Sequence, residues 1–156
     1  MISFQAMVIA YLLFERSRRR RVVDELRKSE EQFRQLFENS KDAILITDDP
    51  GNFLRVNQAA CDLLGYSQDQ FRRLKAADLL SADAPLAADH YRNYLERGYE
   101  VGEWSLTRLN GERRTTLYMS CRFAPSMHLN ILRDISERKL AEDALSESED
   151  KFRQLA

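Results

Sequence analysis

The chain has 156 residues, 31% of them charged and 44% hydrophobic; that is material for one ordinary domain with about 40–50 residues of appendage, and it excludes an extended disordered polymer. The formal net charge of −1 excludes a general polyanion-binding protein, and two cysteines, Cys61 and Cys121, exclude a disulfide scaffold. With no CxxC, no Cys/His cluster and only five glycines, neither a structural zinc site nor a Gly-rich phosphate loop is available.

Residues 1–14 (MISFQAMVIAYLLF) carry no charge, and Arg16, Arg18, Arg19, Arg20 and Arg21 follow at once. Residues 15–21 sum to +4, leaving −5 for the remainder. An apolar stretch followed by a basic cluster is the order of a transmembrane helix leaving the bilayer on its cytoplasmic side, the reverse of a signal peptide. As a helix this stretch reaches about 21 Å, short of the ~30 Å hydrocarbon core. The expectation is a partial transmembrane helix over 1–14, a basic juxtamembrane helix over 15–28, and an inner-membrane location with the following domain cytoplasmic. The alternatives are a buried or amphipathic helix and a nucleic-acid arm. No aromatic side chain is interleaved with the arginines to stack on bases, so no nucleic-acid partner is expected.

All glycines and prolines lie between Pro50 and Pro125, so the charged flanks 15–40 and 134–156 read as helical arms. Val22, Leu26, Ser29, Phe33 and Leu36 follow the 4-3-4-3 spacing of a coiled-coil seam, and Ala141, Leu145, Ser148, Phe152 and Leu155 repeat it. A homodimer through these arms is expected; the alternative is helices packed on their own domain. DELRKSEEQFRQL (24–36) matches DALSESEDKFRQL (143–155) at eight of 13 positions, as in a tandem array. The chain is therefore expected to end as a second module begins.

Between the arms, AILIT (43–47), the turn Asp48-Asp49-Pro50-Gly51-Asn52 and FLRV (53–56) predict a hairpin. Asn57 caps a helix that Gly65 ends, and Ser67 with Gln70 forms a capping box flanked by a Tyr66/Phe71 staple. A further helix is expected over 86–97. Strands over 101–109 and 112–123 flank Asn110-Gly111, and a last strand covers 128–133. On the second of these, Leu117, Met119, Cys121 and Phe123 share one face, and Cys121 is assigned to the core; Thr116, Tyr118, Ser120 and Arg122 share the other. The order predicts an α+β fold, a five-stranded antiparallel sheet with helices packed on one face and room for a small cavity.

Roughly residues 29–139 resemble a PAS domain. SEEQFRQLFENSKDAILITD (29–48) resembles its entry and GNFLRVNQAACDLLGYS (51–67) its core. GEWSLTRLNGERR (102–114) resembles its third-strand hairpin, and RDISERK (133–139) the exit to a signalling helix. The family's exit triplet is Asp-Ile-Thr; here Asp134, Ile135 and Ser136 stand there, and serine keeps the hydroxyl. The resemblance implies a PAS domain over 29–136 and a signalling helix with the start of a second PAS module over 137–156. It also implies a non-catalytic sensory or dimerisation role in a membrane receptor whose output, in cis, is a histidine kinase or a cyclic-dinucleotide enzyme. Asp134, Ile135 and Ser136 are the expected relay junction; simple helix capping is the plainer account of them.

No cofactor is evident. The haem-ligand position of one PAS subgroup falls at Ala87, three residues from His90, so haem at His90 is not expected. Cys121-Arg122-Phe123 spells the tripeptide of flavin-binding relatives but sits on a strand, so flavin is not expected either. His128 opens a strand with no evident partner, and Glu103 is expected to face solvent or pair with an arginine. The competing function is a ligand-free structural spacer between modules. Ile44, Ile46, Leu63, Leu117 and Met119 are the candidates to line a cavity.

Overall fold

The computed structural model describes residues 4–79 and 93–155 and divides into two units, Met1–Glu38 and Asn39–Ala156. The first is one helix, α1 (Phe4–Glu38), unbroken because it holds neither glycine nor proline. The apolar side chains ahead of the arginines are exposed, Phe4 at 81% and Phe14 at 65%, as are Val22, Leu26, Phe33 and Leu36 of the expected seam. Among the described residues no helix is long and apolar enough to cross a membrane.

The second unit runs β1 (Ala43–Asp48), β2 (Phe53–Val56), α2 (Gln58–Leu64), α3 (Gln68–Phe71), a 3₁₀ turn (Ala76–Leu79), α4 (93–97), β3 (Tyr99–Thr107), β4 (Arg113–Ala124), β5 (Met127–Asp134) and α5 (Ser136–Leu155). The strands form one antiparallel sheet in the order β2-β1-β5-β4-β3. β2 and β3 lie at opposite edges, and the described helices of the crossover between them, α2 and α3, pack over one face of the sheet. The helix expected over 86–97 is described only for 93–97; His90 lies outside the described residues.

Asn57 anchors this crossover. It is fully buried; its Oδ1 accepts from Ala60 N and from Ile44 N, both at 2.9 Å, and its Nδ2 donates to Asp42 O at 3.0 Å. One side chain thus caps α2 and pins it to β1. Gly65 ends α2 in the left-handed conformation (φ 80°). The capping box of Ser67 and Gln70 forms, and Tyr66 meets Phe71 edge-on at 5.6 Å. The core gathers Ala60, Leu64 and Phe71 from the helices against Leu45, Leu106, Tyr118 and Leu132 of the sheet.

β4 corrects one expectation. Thr116 and Tyr118 are buried and face the helices, whereas Met119 and Phe123 are exposed and Cys121 is only half-buried on the outer face. The polar-looking face is the core face because its polar atoms are paired there. Thr116 Oγ1 donates to Trp104 O at 3.1 Å, and Ser120 donates to Asn130. Tyr118 lies over Gly102, where a Cβ would stand 2.9 Å from its ring.

Candidate functional site

A cavity of about 130 Å³ lies between the helices and the core face of the sheet. Leu45, Phe53, Trp104, Leu106 and Leu132 form its sheet wall, and Ala76 and Leu79 close it from the crossover. None of Ile44, Ile46, Leu63, Leu117 or Met119 lines it. On the strands the reason is register: these residues are odd-numbered on β4 and even-numbered on β1, and both sets point away from the helices.

Among the described lining residues, Ser120 and Asn130 form a hydrogen-bonded pair. Ser120 Oγ donates to Asn130 Oδ1 at 2.7 Å, and Asn130 Nδ2 donates to Thr47 Oγ1 at 3.2 Å and Leu45 O at 3.4 Å. Tyr118 completes this wall, packed edge-on to Trp104 at 5.3 Å. Burial first, then the charge and hydrogen bond of the Glu100 carboxylate, push its hydroxyl well above the usual tyrosine range.

His128 occupies the next row of the same face. Its Nδ1 meets the Tyr94 hydroxyl of α4, and its Nε2 lies 2.7 Å from Asp49 Oδ1 in the β1/β2 turn. The histidine that had no evident partner in the sequence therefore joins three elements. Asp49 is held below the usual carboxylate range by the Ser126 hydroxyl first, then by His128. Asp48, its neighbour, closes the turn by accepting from Asn52 N at 2.7 Å. No group of three or more His, Cys, Asp or Glu side chains among the described residues is placed to hold a metal.

At the far end of β5 the three expected junction residues come together. Ser136 N donates to Asp134 Oδ1 at 2.9 Å, and Arg114 reaches Asp134 Oδ2 at 3.4 Å. Ser136 Oγ accepts from Thr115 N at 3.0 Å, Ile135 N donates to Thr115 O at 2.9 Å, and the Ile135 side chain is buried. The first turn of α5 is thus tied to β4 through backbone and side chain alike. It is tied to β3 as well: Lys139 Nζ lies 2.8 Å from Glu103 Oε2, and Arg138 lies 4.0 Å from Glu103 Oε1. Sequence reasoning left Glu103 with solvent or an arginine; only the antiparallel register puts it beside α5. Arg16, Arg18, Arg19, Arg20 and Arg21 are exposed along α1, in the other unit.

The junction and the cavity share strands. Glu103 faces α5 and Thr115 bonds it through its backbone, while Trp104 on β3 and Tyr118 on β4 face the cavity. Alternation along a strand places a cavity side chain one residue from a junction side chain.

Residues 31–101 match the family model described as PAS domain. The chain is 36% identical over 133 residues to Sporulation kinase E of Bacillus subtilis, which covers 84% of this chain and 18% of that protein. It is 28% identical over 127 residues to the Methyl sulfide methyltransferase-associated sensor of Methanosarcina acetivorans, covering 78% of this chain and 13% of that protein. This chain therefore spans less than a fifth of the length of the curated relatives it matches. Among solved structures, a domain of the sensory box sensor histidine kinase/response regulator from Geobacter sulfurreducens superposes with a TM-score of 0.62 at 29% identity, over 70% of this chain and 96% of that one. Matched segment, sheet order and helical crossover agree: the chain carries a PAS domain of the sensory kind.

Proposed function

We propose that this chain is a non-catalytic input module that senses a small molecule or a membrane-borne change and passes it through α5 to an output domain in cis. The observation that carries the reading is the shared strand pair: β3 and β4 wall the cavity, and the same two strands hold α5 through the Glu103 side chain and the Thr115 backbone. A ligand that prefers one arrangement of that pair biases α5, by no more than its differential affinity for the two arrangements. Asp134, Ile135 and Ser136 are the relay residues in this scheme. The resemblance to Sporulation kinase E supports a histidine kinase output over a cyclic-dinucleotide enzyme.

The exposed apolar residues of α1, followed by five arginines, support placement of the N-terminus at a membrane with the PAS domain on the cytoplasmic side. The exposed seams, Val22, Leu26 and Leu36 on α1 with Leu145 and Phe152 on α5, support a homodimer through the arms. A sedimentation measurement checks this second part: the full chain sediments as a dimer, and Leu26→Glu returns it to a monomer.

The relay is tested by hydrogen exchange on the full chain. Trp104→Phe, which alters the cavity wall and leaves the Glu103–Lys139 pair in place, speeds exchange at the backbone amides of 135–139 more than at those of α2. Unchanged exchange at 135–139 supports instead the ligand-free spacer, a reading favoured by the small size of the cavity.

A further inference from the structure

The polar wall of the cavity specifies more than size. The Leu45 carbonyl can only accept, so the Asn130 amide group must turn its Nδ2 toward it, and the contact to Thr47 Oγ1 agrees. Asn130 Oδ1 therefore faces Ser120, and at 2.7 Å the Ser120 proton is committed to it. The Ser120 oxygen then presents lone pairs to the cavity and has no proton left to give. Among the described residues that line the cavity none is charged. The Glu100 carboxylate pairs with Ser120 in the strand register and acts on Tyr118, so the field at this end disfavours an anion.

We propose that the cavity takes an uncharged, single-ring compound that donates one hydrogen bond, of the phenol class, with its O–H directed at Ser120 Oγ. This rests on the reading of the cavity as the sensing site. The 130 Å³ volume is close to the about 150 Å³ of an apolar cavity that admits benzene, so one ring with a single small substituent is the upper limit of size. The flat faces of Phe53, Trp104 and Tyr118 suit a ring, and the leucines supply the apolar remainder. A carboxylate would lose its hydration with no cation among the described lining residues to replace it.

Trp104 is the only tryptophan in the chain and stands in the cavity wall, so its fluorescence reports occupancy directly. The full chain is titrated with phenol, benzene and benzoate. Phenol gives a saturable change, benzene binds about fivefold more weakly or worse for want of the hydrogen bond, and benzoate gives none. Ser120→Ala brings phenol down to the level of benzene and leaves benzene unchanged. Equal binding of phenol and benzene by the natural chain overturns the donor requirement and leaves the cavity a ligand site; this needs no variant to fold. Benzoate binding as tightly as phenol overturns the exclusion of charge. Binding of none of the three overturns the sensing cavity and this inference with it.

Discussion

Lys139 Nζ stands 2.8 Å from Glu103 Oε2, so the first turn of α5 is held to β3 one residue away from Trp104 in the cavity wall. The Glu103 carboxylate, by hydrogen bond first and then by charge, holds the Lys139 ammonium above the usual lysine range. Both side chains reach solvent, so the pair contributes little to global stability, and its effect is local. Glu103→Gln therefore leaves the midpoint of thermal unfolding nearly unchanged and speeds amide exchange across 136–140. The same loosening is reproduced in the natural chain by raising the salt concentration.

Asn57→Ala removes the acceptor for two backbone N–H groups and the donor to Asp42 O in one step. A loss of about 2–4 kcal/mol is expected, from buried groups left unpaired and a lost helix cap. Asn57→Asp keeps both acceptors but sets a carboxylate oxygen against the Asp42 carbonyl in a fully buried site, so it too is destabilising. Urea unfolding at neutral pH places both variants below the natural chain.

Gly102→Ala places a methyl group 2.9 Å from the ring of the buried Tyr118, so the ring must shift. The overpacking costs about 1–3 kcal/mol and moves Tyr118 against Trp104, so the tryptophan emission shifts. Gly98→Ala is the control, because nothing lies within 4 Å of its Cβ direction. It carries only the strain of its positive φ, with no change in emission.

Tyr118 makes the fold sensitive to alkali. In the unfolded chain its hydroxyl ionises at its ordinary value near 10.0, and in the fold the value is raised by burial and Glu100. The native state then binds more protons than the unfolded state, so this stabilisation is complete below pH 10 and is lost as pH rises above it. Tyr118→Phe flattens that alkaline limb in pH-dependent unfolding. On the acid side, Asp42 is lowered by its hydrogen bond to Arg133. Its contribution is present above the ordinary value of 3.8 and fades as pH falls through that range; Arg133→Gln removes it.

Tyr94 and His128 act as a unit, since one hydroxyl and one ring nitrogen share a hydrogen bond inside the core. Tyr94→Phe and His128→Leu are each destabilising, and the double variant loses less than the two together. A coupling of about 1 kcal/mol or more is expected from the thermodynamic cycle.

Local chemistry made much of the fold legible. Asn57, Gly65 and the Ser67/Gln70 box announced their helix ends because capping involves neighbours within a few residues. The β3/β4 hairpin was readable from Asn110-Gly111; the regular strands stop at Thr107 and Arg113, where Arg108 N closes the turn onto Glu112 O at 2.8 Å. The Asp134, Ile135 and Ser136 junction was also visible, though not its partner Thr115, which lies more than twenty positions away.

What the sequence by itself determined was the set of elements, their order and the resemblance to PAS domains, because periodicity, caps and turns are encoded over a few residues. The tertiary structure alone decided which face of β4 is the core. Both faces alternate regularly and both carry apolar groups, so the choice depends on which polar atoms find partners across the sheet. Thr116, Ser120 and Asn130 find them, and His128 gains Tyr94 and Asp49. A cavity with a hydrogen-bonded wall, and a lysine clamp from α5 onto the neighbouring strand, follow from register, which acts over distances in sequence that no local pattern records.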